Sequence, residues 1–148
     1  MSKHDELPFD LTIQVRDTCL CLHVQRAARA LARRFDDALR PLDLTNGQFS
    51  LMMALNRPKA PGIGSVAALL AMDRTTLTAN LKPLQRRGLV TVTVDEADRR
   101  GRLMTLTPAG RALLAAAVPL WRQAHAETER LITASDPDSL RADLRALS

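Results

Sequence analysis

The sequence predicts a mainly α-helical chain with one small β-hairpin, and three observations carry that expectation. Apolar residues recur every three or four positions on both sides of the chain's middle. After Gly88 the period switches to two, with Val90, Val92 and Val94 alternating with Thr91 and Thr93. Between the helical stretches, Arg57 to Gly64 packs two prolines and two glycines into eight residues, which is loop chemistry.

Residues 1–9 are polar and expected to fray. From about Asp10 to Leu42, the spacing of Leu20, Val24, Ala27, Ala28, Leu31, Phe35 and Leu39 predicts one long amphipathic helix. Such a rod, about 45 Å long, overhangs a globule whose radius of gyration is about 15 Å. A partner surface, and hence a dimer, is expected. Asp43-Leu-Thr45 breaks the helix, and Thr45 is placed to cap a second one, about Asn46 to Asn56. Ser65 is read as the cap of a short helix, Val66 to Leu70, and Met72-Asp73 as a turn. A further helix runs from Arg74 to Arg87 and is closed by Gly88. The strands are Val90 to Val94 and Arg102 to Thr107, joined by a charged tip, Asp95 to Gly101. Thr107 and Pro108 have the chemistry of an N-cap and first helical residue, opening a helix to about Ile132 that Pro119 should bend. Ser135 opens a last short helix with Leu140, Leu144 and Leu147 on one stripe.

A short helix, a turn, a polar-faced helix and a basic hairpin make a winged helix-turn-helix. The chain is thus read as one domain, 1–148, with the winged helix-turn-helix at 46–107 and dimerisation helices at 10–42 and 108–148.

Composition narrows the function. The chain has 148 residues, 46% of them apolar, enough for one domain with a real core. Aromatics are 3% with no tyrosine, which excludes any mechanism that needs a tyrosine hydroxyl. No apolar run in the first thirty residues suits export or a membrane span, so a cytoplasmic protein with no membrane partner is expected. His4, His23 and His125 are too far apart in sequence to suggest a metal site, and no cofactor motif or catalytic group is assigned. The net charge of +5 is concentrated in 57–102, where nine bases face four acids. A basic middle between neutral flanks is the footprint of a polyanion.

On a helical wheel Leu77, Leu81 and Leu84 fall within about 60° and form the buried stripe of the 74–87 helix. The opposite side carries Thr75, Thr78, Ala79, Lys82 and Arg86 and no acid. A major groove admits such a face, with Thr reading base edges and Lys or Arg meeting phosphate or guanine. The expected contacts on this helix are Arg74, Thr75, Thr76, Thr78, Lys82 and Arg86. Arg99, Arg100 and Arg102 at the hairpin tip suit the narrow, electronegative minor groove. Pro83, inside the helix, removes the hydrogen bond to the Ala79 carbonyl and is expected to kink it.

Five runs of residues then carry a family resemblance: Leu44-Thr-Asn-Gly-Gln-Phe49; Val66-Ala-Ala-Leu-Leu-Ala-Met-Asp-Arg-Thr-Thr-Leu-Thr78; Leu84-Gln-Arg-Arg-Gly-Leu-Val90; Asp98-Arg-Arg100; and Leu106-Thr-Pro-Ala-Gly110. In this order and spacing, from about Thr18 to Val118, the chain resembles the MarR family of bacterial transcriptional regulators. The resemblance implies a homodimer reading a pseudo-palindromic operator on double-stranded DNA, acting as a repressor released by a small aromatic or anionic effector or by oxidation. It also implies that Arg100 enters the minor groove and that Asp98 positions the wing around it. In the family's organic-hydroperoxide sensors a reactive cysteine stands 24 residues before the threonine that starts the second helix, and Cys21 stands 24 residues before Thr45. The sensors' tyrosine positions here correspond to Phe35 and Phe49. Cys21 is therefore read either as a redox switch, with Arg16 or His23 to activate it, or as a small apolar residue near the dimer interface. Cys19 and Cys21, on a single helix, would point about 200° apart and could not bridge. An anionic effector would meet Arg16, His23 and Arg26, with Phe49 and Met53 as apolar walls. The alternatives are a thiol peroxidase using Cys21, and a winged helix that contacts protein or RNA only.

Overall fold

The computed structural model describes residues 7–148; His4 lies outside them. The described elements are α1 (Phe9–Thr18), α2 (Leu20–Leu39), a 3-10 turn (Arg40–Leu42), α3 (Asn46–Leu55), α4 (Ile63–Leu69), α5 (Arg74–Arg86), β1 (Val90–Val94), β2 (Arg102–Leu106), α6 (Pro108–Glu129) and α7 (Pro137–Ala146). The mainly helical architecture with one antiparallel hairpin is as the periodicity implies.

The long first helix is not one rod. It breaks at Cys19, whose backbone is extended (φ −69°, ψ 110°). The reason is visible in the pattern: every residue of the three-to-four repeat, from Leu20 to Leu39, belongs to α2. Before it, Phe9, Leu11, Ile13 and Val15 are spaced by two and define no helical stripe. The continuous rod shortens to 20 residues, about 30 Å. Because Cys19 lies outside the helix, the two thiols no longer hold the fixed angular offset expected of one helix. Cys19 Sγ instead accepts the Leu22 N–H at 3.5 Å, and Cys21 Sγ accepts the Gln25 amide at 3.4 Å.

Other boundaries move less. The helix α4 starts at Ile63 with Gly62 as its cap, not at Val66 after Ser65. Pro61 and Gly62 do more than loop: the Pro61 carbonyl accepts the Met104 N–H at 3.1 Å, and Gly62 bridges Leu103, laying a third extended segment beside β2. The helix α6 ends at Glu129 and runs as one helix through Pro119; α7 is capped by Asp136 with Pro137 behind it. Pro83 likewise lies within a continuous α5 and does not end it.

The core is aliphatic, as the scarcity of aromatics requires. Leu39, Met52, Val66, Leu77, Leu84 and Met104 are fully buried, and Phe49 and Leu114 join them where α2, α3 and α6 meet. At the other end of the scale, Phe9, Leu11, Val15, Leu20, Leu131 and Leu147 expose much of their surface.

Candidate nucleic-acid interface

The turn before α5 sets its start. Ala71 adopts a left-handed conformation (φ 50°), and its N–H and that of Met72 return to the carbonyls of Ala68 and Ala67. Asp73 then caps the helix. Its carboxylate accepts the Thr76 N–H at 2.8 Å and the Thr76 hydroxyl at 2.9 Å, and these bonds hold its carboxyl below the usual carboxylate range. From the sequence Asp73 is read only as part of a turn; an aspartate directly before the first helical residue is the signal that marks it as the cap. Asp73 also redirects Thr76, whose hydroxyl is committed to the cap. At the far end Gly88 closes the helix in the left-handed region (φ 69°).

Leu77, Leu81 and Leu84 are the buried side of α5, as the wheel requires. On the other side Arg74, Thr75, Thr78, Ala79 and Lys82 line an open depression of about 360 Å³. The Thr78 hydroxyl donates to the Arg74 carbonyl at 2.8 Å, and the residue is exposed. Arg74 lies across Gly64 of α4, where a β-carbon would come within 2.8 Å of its guanidinium. Arg86 is exposed one turn after Lys82.

The hairpin pairs Val90 with Leu106 through Val94 with Arg102. Its tip is ordered by its own acids. The Asp95 carboxylate accepts the Ala97 N–H at 3.0 Å, and Asp98 accepts the Arg100 N–H at 3.1 Å. Arg102, itself exposed, folds back on the tip and donates to the carbonyls of Arg99 and Gly101 at 3.2 and 3.0 Å. The three tip arginines therefore divide: Arg102 braces the wing, while Arg99 and Arg100 are exposed and enter no ion pair among the described residues.

Two contacts that sequence reasoning missed join this region to α2. The Asp36 carboxylate accepts both the backbone N–H and the side-chain amide of Asn46, at 2.7 and 2.8 Å, and is held below the usual carboxylate range by them. Arg87, which had no expected role, donates to the carbonyls of Asp43 at 2.6 Å and Leu42 at 3.4 Å, tying the end of α5 to the turn after α2. Neither pairing has a local sequence signal, since the partners are brought together by the packing of separate helices.

The expected effector residues do not converge. Phe49 and Met53 line a depression with Trp121, whereas His23 and Arg26 border a separate basic surface with Arg29 and Arg33. Arg16 pairs with Asp17 at 2.7 Å, and His23 Nδ1–H donates to the Cys19 carbonyl at 2.7 Å, so neither is directed at Cys21. The structure offers instead a cavity of about 240 Å³ between α2, α3 and α6, walled by Leu31, Phe35, Phe49 and Trp121 and edged by Asn46. Trp121 stacks between Phe49 and His125, with centroid separations of 6.2 and 4.8 Å. Among the described residues no cluster suits a metal ion, and no helix is long and apolar enough to cross a membrane.

No family model matches the chain. Solved structures do. The M. tuberculosis transcriptional regulator MosR in complex with DNA is 40% identical, with a TM-score of 0.80 over 88% of this chain and 93% of that one. BpsR of Bordetella bronchiseptica, whose DNA binding is regulated by 6-hydroxynicotinic acid, is 30% identical, with a TM-score of 0.77 over 86% and 91%. The transcriptional activatory protein BadR of Rhodopseudomonas palustris is 34% identical over 95 residues, 62% of this chain. The chain spans about half the length of the curated relatives it matches, 54% in the case of BadR.

Proposed function

The chain belongs to the MarR family of winged helix-turn-helix transcriptional regulators, and from that premise we propose that it is a homodimeric repressor that binds a pseudo-palindromic operator. The observation that carries this reading is the outer face of α5, exposed, cationic and hydroxylic and free of acid, on a helix whose other side is locked into the core. Thr75, Thr78 and Arg86 read the major groove; Lys82 and Arg74 meet phosphate. Arg99 and Arg100 enter the adjacent minor groove, with Asp98 and Arg102 holding the tip. A second copy covers the exposed apolar residues of α1, α2 and α7 and sets the two recognition helices about 34 Å apart.

Release follows from the cavity between α2, α3 and α6. Its walls suit a small, flat aromatic ligand, and its edge at Asn46 lies beside the Asp36 contact that joins α2 to α3. A ligand there changes the spacing of the recognition helices by bearing on that joint. The dependence of BpsR on 6-hydroxynicotinic acid supports a ligand of this class. A second reading, release by oxidation at Cys21, is favoured by the exposure of that thiol.

A gel shift of the full chain on the DNA upstream of its own gene tests the reading. The expected result is a discrete complex that weakens steeply with salt and is lost with an aromatic acid or with peroxide. Equal affinity for unrelated duplexes at every salt concentration would overturn it.

A further inference from the structure

Arg57, in the loop that leaves α3, belongs to the chain's basic middle but to neither α5 nor the wing. It is exposed and yet held in place. Its Nε donates to the Ala54 carbonyl at 3.0 Å, and its Nη1 donates to the Ser65 hydroxyl at 3.1 Å, in the first turn of α4. A guanidinium offers five N–H donors and no acceptor, and the described residues give this one only those two partners. Ser65 is exposed as well. Because its oxygen accepts from Arg57, its hydroxyl hydrogen must turn to something else, and no acceptor among the described residues takes it.

Arg74 reaches the residue before it. Its guanidinium lies across Gly64, so close that a β-carbon there would stand 2.8 Å from Nη2. The Arg74 side chain enters no ion pair among the described residues, and the neighbouring Asp73 carboxylate is committed to Thr76. Between Asp43 and Asp73 the chain has no acid at all. Two guanidinium groups and a hydroxyl thus meet the surface at consecutive residues, 64 and 65, with donors to spare and no negative charge beside them. Such a set suits an anion.

We propose that Arg57 and Ser65 form a second phosphate site of the interface, holding a backbone phosphate of the DNA strand that α4 crosses, beside the phosphate met by Arg74. The inference rests on the reading of α5 as the helix that enters the groove, since in that geometry the preceding helix lies over the backbone. Arg57 supplies the charge and Ser65 a neutral donor. Held at both Ala54 and Ser65, the guanidinium gives up little side-chain freedom on binding. The contact carries no base information; it fixes the register of α5 on the duplex.

The test measures binding of the full chain and of its Arg57→Ala, Arg57→Lys and Ser65→Ala variants, over a salt series, to the site that the wild type selects from random duplex DNA and to an unrelated duplex. Arg57→Ala is expected to weaken both complexes about ten-fold for each half-site and to lower the slope of log K against log salt by about one for each. Arg57→Lys keeps the charge and the slope, and Ser65→Ala weakens binding with the slope unchanged. Replacing the phosphates of the selected site one at a time by uncharged methylphosphonate then finds a position in the half-site that weakens the wild type about ten-fold and adds nothing to the Arg57→Ala loss. Wild-type affinity and slope in Arg57→Ala would overturn the proposal. So would a loss that adds in full to that of every methylphosphonate and that lysine does not relieve, which would mean that Arg57 only ties α3 to α4. If the wild type binds no duplex, the DNA-binding reading fails, and this inference with it.

Discussion

Gly110 stands against the backbone of Leu89 so closely that a β-carbon on it would lie 2.1 Å from the Leu89 carbonyl oxygen. The same oxygen accepts the Thr107 N–H at 3.1 Å, and the Thr107 hydroxyl donates to the Gly88 carbonyl at 2.6 Å. The start of α6 is thus seated on the turn between α5 and β1. Gly110→Ala should lower unfolding stability by about 1–3 kcal/mol, the usual cost of overpacking against backbone that cannot yield. Urea denaturation checks it, and an unchanged midpoint would mean that the turn moves freely.

The wing arginines are expected to have separable roles. Arg100→Ala should weaken operator binding by about 1–3 kcal/mol and leave the circular dichroism spectrum and melting temperature in place. Arg102→Ala removes the brace across the Arg99 and Gly101 carbonyls and should weaken binding by disordering the tip. Hydrogen exchange at the tip amides distinguishes the two, rising in the second variant only.

Lys82→Ala is expected to act on charge rather than on sequence. Its affinity should fall across all duplexes, and the slope of log K against log salt should shrink by about one. A change confined to the preferred sequence would instead make Lys82 a base reader.

Acid should loosen the joint between α2 and α3. The Asp36 carboxyl is held low by the Asn46 N–H and amide, and Asp73 by the Thr76 N–H and hydroxyl. A depressed folded value means that the stability each contributes is present above the unfolded carboxylate range, near about 4. It is lost as pH falls through the lowered value. Asp36→Asn should therefore be less stable than wild type at neutral pH and should lose less stability on acidification. Denaturation curves at neutral and acid pH check this; parallel losses in both proteins would remove Asp36 from the account.

Arg87→Ala cuts the ties from α5 to the Leu42 and Asp43 carbonyls. The expected result is a folded dimer with lower operator affinity, because the recognition helix is less firmly held relative to α2. Sedimentation velocity with a gel shift separates that outcome from loss of the dimer.

Local rules carried much of the fold. Thr45, Thr107 and Gly88 cap or close helices where their chemistry says they should. The valine and threonine alternation is β1, and the leucine stripe of α5 is buried. The same rules ran out at residues 9–18, where a helix forms without a stripe of its own. They also ran out at Gly62, whose pairing with Leu103 depends on a strand about forty residues away.

The sequence by itself determined the winged helix-turn-helix, the outward face of α5 and the concentration of charge at the hairpin tip, because each depends on residues a few positions apart. Tertiary structure decided which of those residues are available. It turned Arg102 into a brace and Thr76 into part of a cap, and left Arg99 and Arg100 exposed. It gave Arg87 a partner 44 residues away, and it separated His23 and Arg26 from Phe49 and Met53. The physical reason is that a side chain's donors are spent on whichever carbonyls packing brings within about 3 Å, and helix periodicity says which way a residue points but not what will stand in front of it.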